Sequence, residues 1–200
     1  VPALARVGVL MRSRLLTALL TVGLVLTGCG SPPPAAKITL GFSAWPGWLP
    51  WQVAKEQGLF AKNGIEVDLR YFDSYTDSLN ALSTGAIDAN SQTLNDTLVS
   101  VSTGVQQTIV LANDTSTGND QIIARTGITS VADLKGKKVA VEKGTVDHYL
   151  LLLALQKAKI AAGDVQLVST LTDSAASAFA AGHVDAVAAF APHTTTALSR

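Results

Sequence analysis

The chain holds one cysteine, Cys29, among its 200 residues, so a cysteine-rich active centre is excluded. Charge is also sparse: charged residues make up 15% of the sequence, and the formal net charge is zero. Arg6, Arg12 and Arg14 are the only charges in residues 1–28, which leaves 12 basic and 15 acidic side chains in the remainder. A mildly acidic body without Lys/Arg clusters excludes nucleic acid as a partner, because neutralising phosphates takes a basic surface. No apolar run reaches the roughly 20 residues of a membrane-spanning helix. Catalytic and metal signatures are missing too. The three histidines, His148, His183 and His193, show no metal spacing, and Gly136-Lys137 lacks the upstream glycine of a phosphate loop. Ser, His and Asp occur without a nucleophile elbow. The expectation is a protein with no catalytic residues, no metal and no cofactor.

What is present begins with an export signal. Arg12 and Arg14 precede an apolar stretch from Leu15 to Leu26, too short to span a bilayer and suited to a secretory signal core. It ends in Leu26-Thr27-Gly28-Cys29, which closely resembles a bacterial lipobox, where the cysteine becomes the lipidated first residue. Residues 1–28 are therefore expected to be a signal peptide. Residues 29–36, with Pro32-Pro33-Pro34, are expected to be an extended tether from a lipid anchor on Cys29.

The body is organised around a repeated module. Thr76 to Ala89 and Thr172 to Ala186 each read as a polar helix start, a short helix of small and apolar residues, a glycine stop and an apolar strand. Asp77 and Asp173 suit the helix start, and Gly85 and Gly182 suit the left-handed C-cap. The copies lie too far apart for a solenoid period of about 20–50 residues. They predict two similar α/β lobes.

Around the first copy, strands are predicted at Ile38–Phe42, Ile65–Tyr71, Ile87–Asn90 and Thr108–Ala112, with helices from Pro50 to Gly58 and Thr93 to Thr103. This alternation implies a mostly parallel sheet with covering helices. The polar run Asn113–Asp120 marks the passage between lobes, which places lobe one in residues 37–120 and lobe two in 121–200. In lobe two, strands are predicted at Gln121–Arg125, Lys137–Val141, Val165–Ser169 and Val184–Phe190, and a Leu-rich helix from Thr145 to Lys159.

Ligands of open α/β sheets sit beyond the carboxyl ends of the strands, against helix N-termini. That rule selects Ser43, Trp45, Asp73, Gln92, Thr93, Asp114, Glu142, Thr145 and Phe190 as candidate ligand-binding residues. Their chemistry points two ways. The helix N-termini near Thr93 and Thr145 favour an anion. Asp73, Asp114 and Glu142, accompanied only by Lys143, favour a cation together with Trp45 and Trp48.

Four segments carry a family resemblance: AKEQGLFAKNGIEVDLRYF (54–72) after a Trp-rich loop, ALSTGAIDA (81–89), SVADLKGKKVAVEKGT (130–145) and AFAAGHVDAVAAFAP (178–192). In order and spacing they resemble the periplasmic-type solute-binding proteins of ABC importers, of the nitrate/sulfonate/taurine-binding kind. The resemblance implies a two-lobed α/β fold of the type II periplasmic-binding class, with mostly parallel sheets. It implies a monomer that closes on a small-molecule solute by a hinge and is read by an ABC permease at the membrane. It also implies that the chain returns to lobe one after lobe two. Since the sequence ends at Arg200, lobe one is expected to be incomplete and its C-terminal part missing. The implied solute is a small nitrogen- or sulfur-containing compound; a cationic amidine-like, guanidinium-like or thiamine-precursor compound is the alternative. Thiamine-pyrimidine synthases share the fold, but they carry a Cys-rich centre that this chain lacks. A sensor lipoprotein without transport duty is the third reading.

Overall fold

Two separate sheets carry the strands of residues 37–199, the part of the chain described by the computed structural model. The signal-peptide and tether readings of residues 1–36, including lipidation at Cys29, lie outside the described residues.

The first sheet contains β1 (Lys37–Phe42), β2 (Glu66–Tyr71) and β3 (Ala89–Asn90), in the order β2-β1-β3 with both pairings parallel. Between β1 and β2 run α1 (Pro50–Glu56) and the single turn α2 (Leu59–Lys62). Pro50 opens α1 where its missing N–H would be unpaired anyway. Trp51 of α1 stacks on Phe60 of α2 at 6.4 Å, so the chain after Gly58 folds back onto the preceding helix. Then come α3 (Tyr75–Ser83) and α4 (Leu94–Ser102), capped by Ser74 and Thr93, whose hydroxyls accept the N–H groups of Asp77 and Asp96. The cap of α3 is thus Ser74, and Asp77 sits inside the first turn, where its charge complements the helix dipole.

The second sheet contains β4 (Gln121–Ala124), β5 (Lys138–Val141), β6 (Gln166–Ser169) and β7 (Ala186–Ala189), ordered β4-β7-β5-β6. Strand β5 runs parallel to β6 and β7, and only β4 is antiparallel. Helix α5 (Val146–Lys157) follows β5, α6 (Thr172–Ala180) follows β6, and α7 (His193–Leu198) follows β7. The period of two divides this sheet into two packed faces. Val139, Val141, Ala186 and Ala188 meet Leu151 and Leu155 of α5 on one side. Ala140, Val187 and Ala189 meet Ala175, Ala176 and Phe179 of α6 on the other.

One predicted strand is absent. Residues 108–112 are irregular, and Ile109, Val110 and Leu111 are 65%, 86% and 59% exposed. A strand exists only by pairing its backbone groups, and the neighbouring β3 supplies just two residues, both paired to β1. The short apolar run alone is insufficient.

The repeated module has a shared bonding pattern. Asp88 Oδ2 accepts the backbone N–H of Thr39 at 2.8 Å, and Thr39 O accepts the N–H of Asp88. Asp185 Oδ2 accepts the N–H of Lys138 at 2.8 Å, and Lys138 O accepts the N–H of Asp185. Each aspartate therefore clamps the start of its strand to the parallel neighbour. Gly85 and Gly182, at φ 73° and 87°, make the left-handed turn that leads into each clamp.

Candidate functional site

The carboxyl ends of both sheets converge on one cleft. The first sheet contributes Ser43 and Ala44 after β1 and Asp73, Ser74 and Tyr75 after β2. The second contributes Glu142 after β5, Leu171–Asp173 after β6, and Phe190 and His193 after β7. The space between these residues is about 10 Å³, room for about one water molecule.

Aromatic rings form the floor. Phe42, Trp45, Trp48, Tyr75 and Phe190 make one buried cluster, drawing on both lobes. Trp45 and Tyr75 meet Phe190 edge-on at 5.7 and 6.3 Å, a favoured geometry for aromatic pairs. Trp45 also donates from Nε1 to Asp114 Oδ2 at 2.7 Å. A side chain at Gly47 would put its Cβ 1.3 Å from Asp114 Oδ2, so glycine there makes that bond possible.

Polar groups tie the lobes together. Glu142 is buried, yet both oxygens are satisfied: Oε1 accepts from Thr76 Oγ1 of α3, and Oε2 from the N–H and Oγ1 of Thr172 at 3.0 and 2.7 Å. Asp96, in the first turn of α4, accepts from Tyr75 Oη at 2.7 Å and Thr93 Oγ1 at 2.6 Å. Burial holds the Tyr75 phenol well above its usual range and raises the Asp96 carboxyl. Asp147, in the first turn of α5, is fully buried, and its Oδ1 has no partner. Burial, with the nearby carboxylates of Asp120, Glu142 and Asp96 adding, pushes its pKa up to about 7. Thr172 Oγ1 also lies 3.2 Å from Asp147 Oδ2, and its bond there works against the rise. Ser43 is also buried with its hydroxyl unpaired, at the edge of the cleft.

Of the residues expected from sequence, Ser43, Asp73, Glu142 and Phe190 line the cleft, and Trp45 stands behind Phe190. The others are engaged locally. Gln92 Nε2 bonds Thr97 and Gln107, Thr93 caps α4, Asp114 holds Trp45, and Thr145 Oγ1 donates to the carbonyl of Glu142. Leu171 to Asp173 were not among the expected residues; the strand-end rule applied to β6 finds them. Asp96 and Asp147 carried only the signal of an acidic residue in a helix first turn. Among the described residues no group of three His, Cys, Asp or Glu side chains is placed to hold a metal ion.

Two α/β lobes with parallel strands ending at a shared cleft define the periplasmic solute-binding architecture. The chain belongs to the NMT1/THI5-like family, whose profile matches residues 45–199. A binding protein of Brucella abortus is 34% identical over 140 residues, 70% of this chain and 43% of the relative. The taurine-binding periplasmic protein of Escherichia coli is 29% identical over 144 residues, 72% of this chain and 45% of the relative. The crystal structure of the periplasmic aliphatic sulphonate binding protein SsuA from Escherichia coli superposes with a TM-score of 0.67 at 29% identity. It covers 84% of this chain and 58% of that one. The chain thus spans about half the length of the relatives it matches.

Proposed function

We propose that the protein is an extracytoplasmic solute-binding lipoprotein of an ABC importer. It takes a small polar nitrogen- or sulfur-containing solute into the cleft, closes around it and presents the closed form to a membrane permease, without chemical turnover. The observation that carries this reading is the cleft itself, in which Ser43 and Asp73 of one lobe face Glu142, Asp173 and Phe190 of the other. A ligand held by both lobes stabilises the closed arrangement by its differential affinity for it. The names of the taurine- and sulphonate-binding relatives support a small ionic solute. In this reading the chain is a monomer, exported by residues 1–28, anchored through Cys29 and held off the membrane by residues 29–36.

The test is thermal unfolding of the full chain against alkanesulfonates, taurine, nitrate and alkylguanidinium salts, followed by tryptophan fluorescence. A true ligand at a hundred times its Kd adds about 2.7 kcal/mol of stability. Its binding also changes the emission of Trp45, which packs on cleft-lining Phe190, and Trp45→Phe removes that change. No stabilisation by any member of the panel, or turnover of one, rejects the proposal.

A further inference from the structure

The cleft carries an excess of negative charge. Three carboxylates line it, Asp73, Glu142 and Asp173, and among the described residues no lysine or arginine does. The nearest basic residue in sequence, Lys143, is exposed and its charge acts on His148. The other basic-capable group in the lining, His193, is held below the usual histidine range by burial, against the pull of Asp173 and Glu142, so it is neutral at pH 7.

Helix N-termini are the remaining positive features. Helices α3 and α6 each bring about +0.5 charge to the cleft, which offsets about one of the three carboxylates and leaves a net of about −2. Each first turn also holds an aspartate of its own, Asp77 in α3 and Asp173 in α6. Asp173 is already counted among the three cleft carboxylates, so only Asp77 adds to the negative charge beside these helix starts.

A separate observation marks the cleft as built for a ligand. Ser43 is only 2% exposed, lines the cleft and has a hydroxyl with no partner. A buried hydroxyl left unpaired is destabilising, and a ligand donor or acceptor would relieve it. The rings of Tyr75 and Phe190 sit in the same lining.

We infer that the solute carries a cationic nitrogen group, an ammonium or guanidinium, recognised by Asp73 and Asp173 across the cleft, with Ser43 completing the contact. This rests on the solute-binding reading and specifies the charge of its ligand. Glu142 takes no direct part, because both of its oxygens are already occupied by Thr76 and Thr172.

Calorimetric titration of the full chain with ethylguanidinium, ethanesulfonate and nitrate tests it. Ethylguanidinium is expected to bind at least about tenfold more tightly than either anion. Asp73→Asn and Asp173→Asn are each expected to weaken that binding about tenfold. Asp73 is exposed, so its replacement leaves the unfolding midpoint of the ligand-free protein unchanged. Tighter binding of ethanesulfonate or nitrate overturns the cation assignment and leaves the solute-binding reading standing. Binding of none of the three overturns both. Ethylguanidinium binding untouched by either substitution overturns the assignment to these carboxylates.

Discussion

The two lobes are built from the same module and finished differently. In lobe two, β7 is buried along all four residues, and both faces of the sheet are covered by helices. In lobe one, β2 and β3 have no fully buried residue, and the outward side of α4 presents Leu94, Leu98 and Val101 to solvent. The unpaired segment 109–111 adds further apolar surface. The module sets the local geometry of each lobe, and stability depends on how much cover each sheet receives. Large side chains buried in the lobe-two core should therefore matter most, and the exposed apolar residues of α4 and 109–111 in lobe one should matter little.

Leu151→Ala against Leu98→Ala gives the largest expected contrast. Leu151 is completely buried against Val139, Val141 and Ala186, so truncation removes its transfer energy and leaves a cavity, a loss of roughly 2–5 kcal/mol. Leu98 is 61% exposed, and its truncation should stay within about 0.5 kcal/mol. Denaturant unfolding reads both. Equal losses would break the contrast between the lobes.

The second contrast pairs two buried carboxylates. Asp96 on the lobe-one side is satisfied by hydroxyl donors, whereas Asp147 on the lobe-two side keeps one oxygen unpartnered. With its pKa raised from 3.8 to about 7, folded Asp147 retains a proton that the unfolded chain releases. Its contribution to stability is complete below 3.8 and is lost as pH rises through about 7. Asp96 is raised and acts in the same direction; His148 and His193, held low by burial, act in the opposite one as pH falls below 6.5. Comparing Asp147→Asn with the parent protein isolates the one group. From pH 4 to pH 8 the variant should gain roughly 2–4 kcal/mol relative to the parent. Asp96→Asn instead disrupts the bonds from Tyr75 and Thr93 and should cost roughly 1–3 kcal/mol at neutral pH. A flat difference profile for Asp147→Asn would show that its carboxyl titrates as an exposed one.

What was legible in the sequence was local. The glycine stops at Gly85 and Gly182, the proline start at Pro50 and the alternation of residues 65–71 each sit within one element, and each produces the element predicted. The failure at 108–112 is a failure of pairing, since an apolar run cannot say whether a neighbouring strand is long enough to receive it. The cleft was legible as far as topology follows from strand order. Ser43, Asp73, Glu142 and Phe190 follow from strand ends, while Thr172 and Asp173 read in sequence as helix starters. Long-range links, such as Thr76 to Glu142 across the lobes and Tyr75 to Asp96 within lobe one, depend on tertiary placement that no single segment encodes.

The smallest expected effect asks whether the module behaves alike in both settings. Asp88 and Asp185 accept the same kind of backbone N–H at 2.8 Å, from Thr39 and Lys138, in partly exposed surroundings. Replacing either with alanine removes one charge-assisted hydrogen bond and leaves an N–H that water can reach. Each substitution should then cost about 1–1.5 kcal/mol, despite the unequal cover of the two lobes. Asn in place of Asp keeps an acceptor oxygen and should restore part of the loss at both positions. Matching losses from denaturant unfolding would assign the clamp to the module itself. If Asp185→Ala cost over about 1 kcal/mol more than Asp88→Ala, the covering helices of lobe two would set its strength instead, and the equivalence of the two copies would be geometric only.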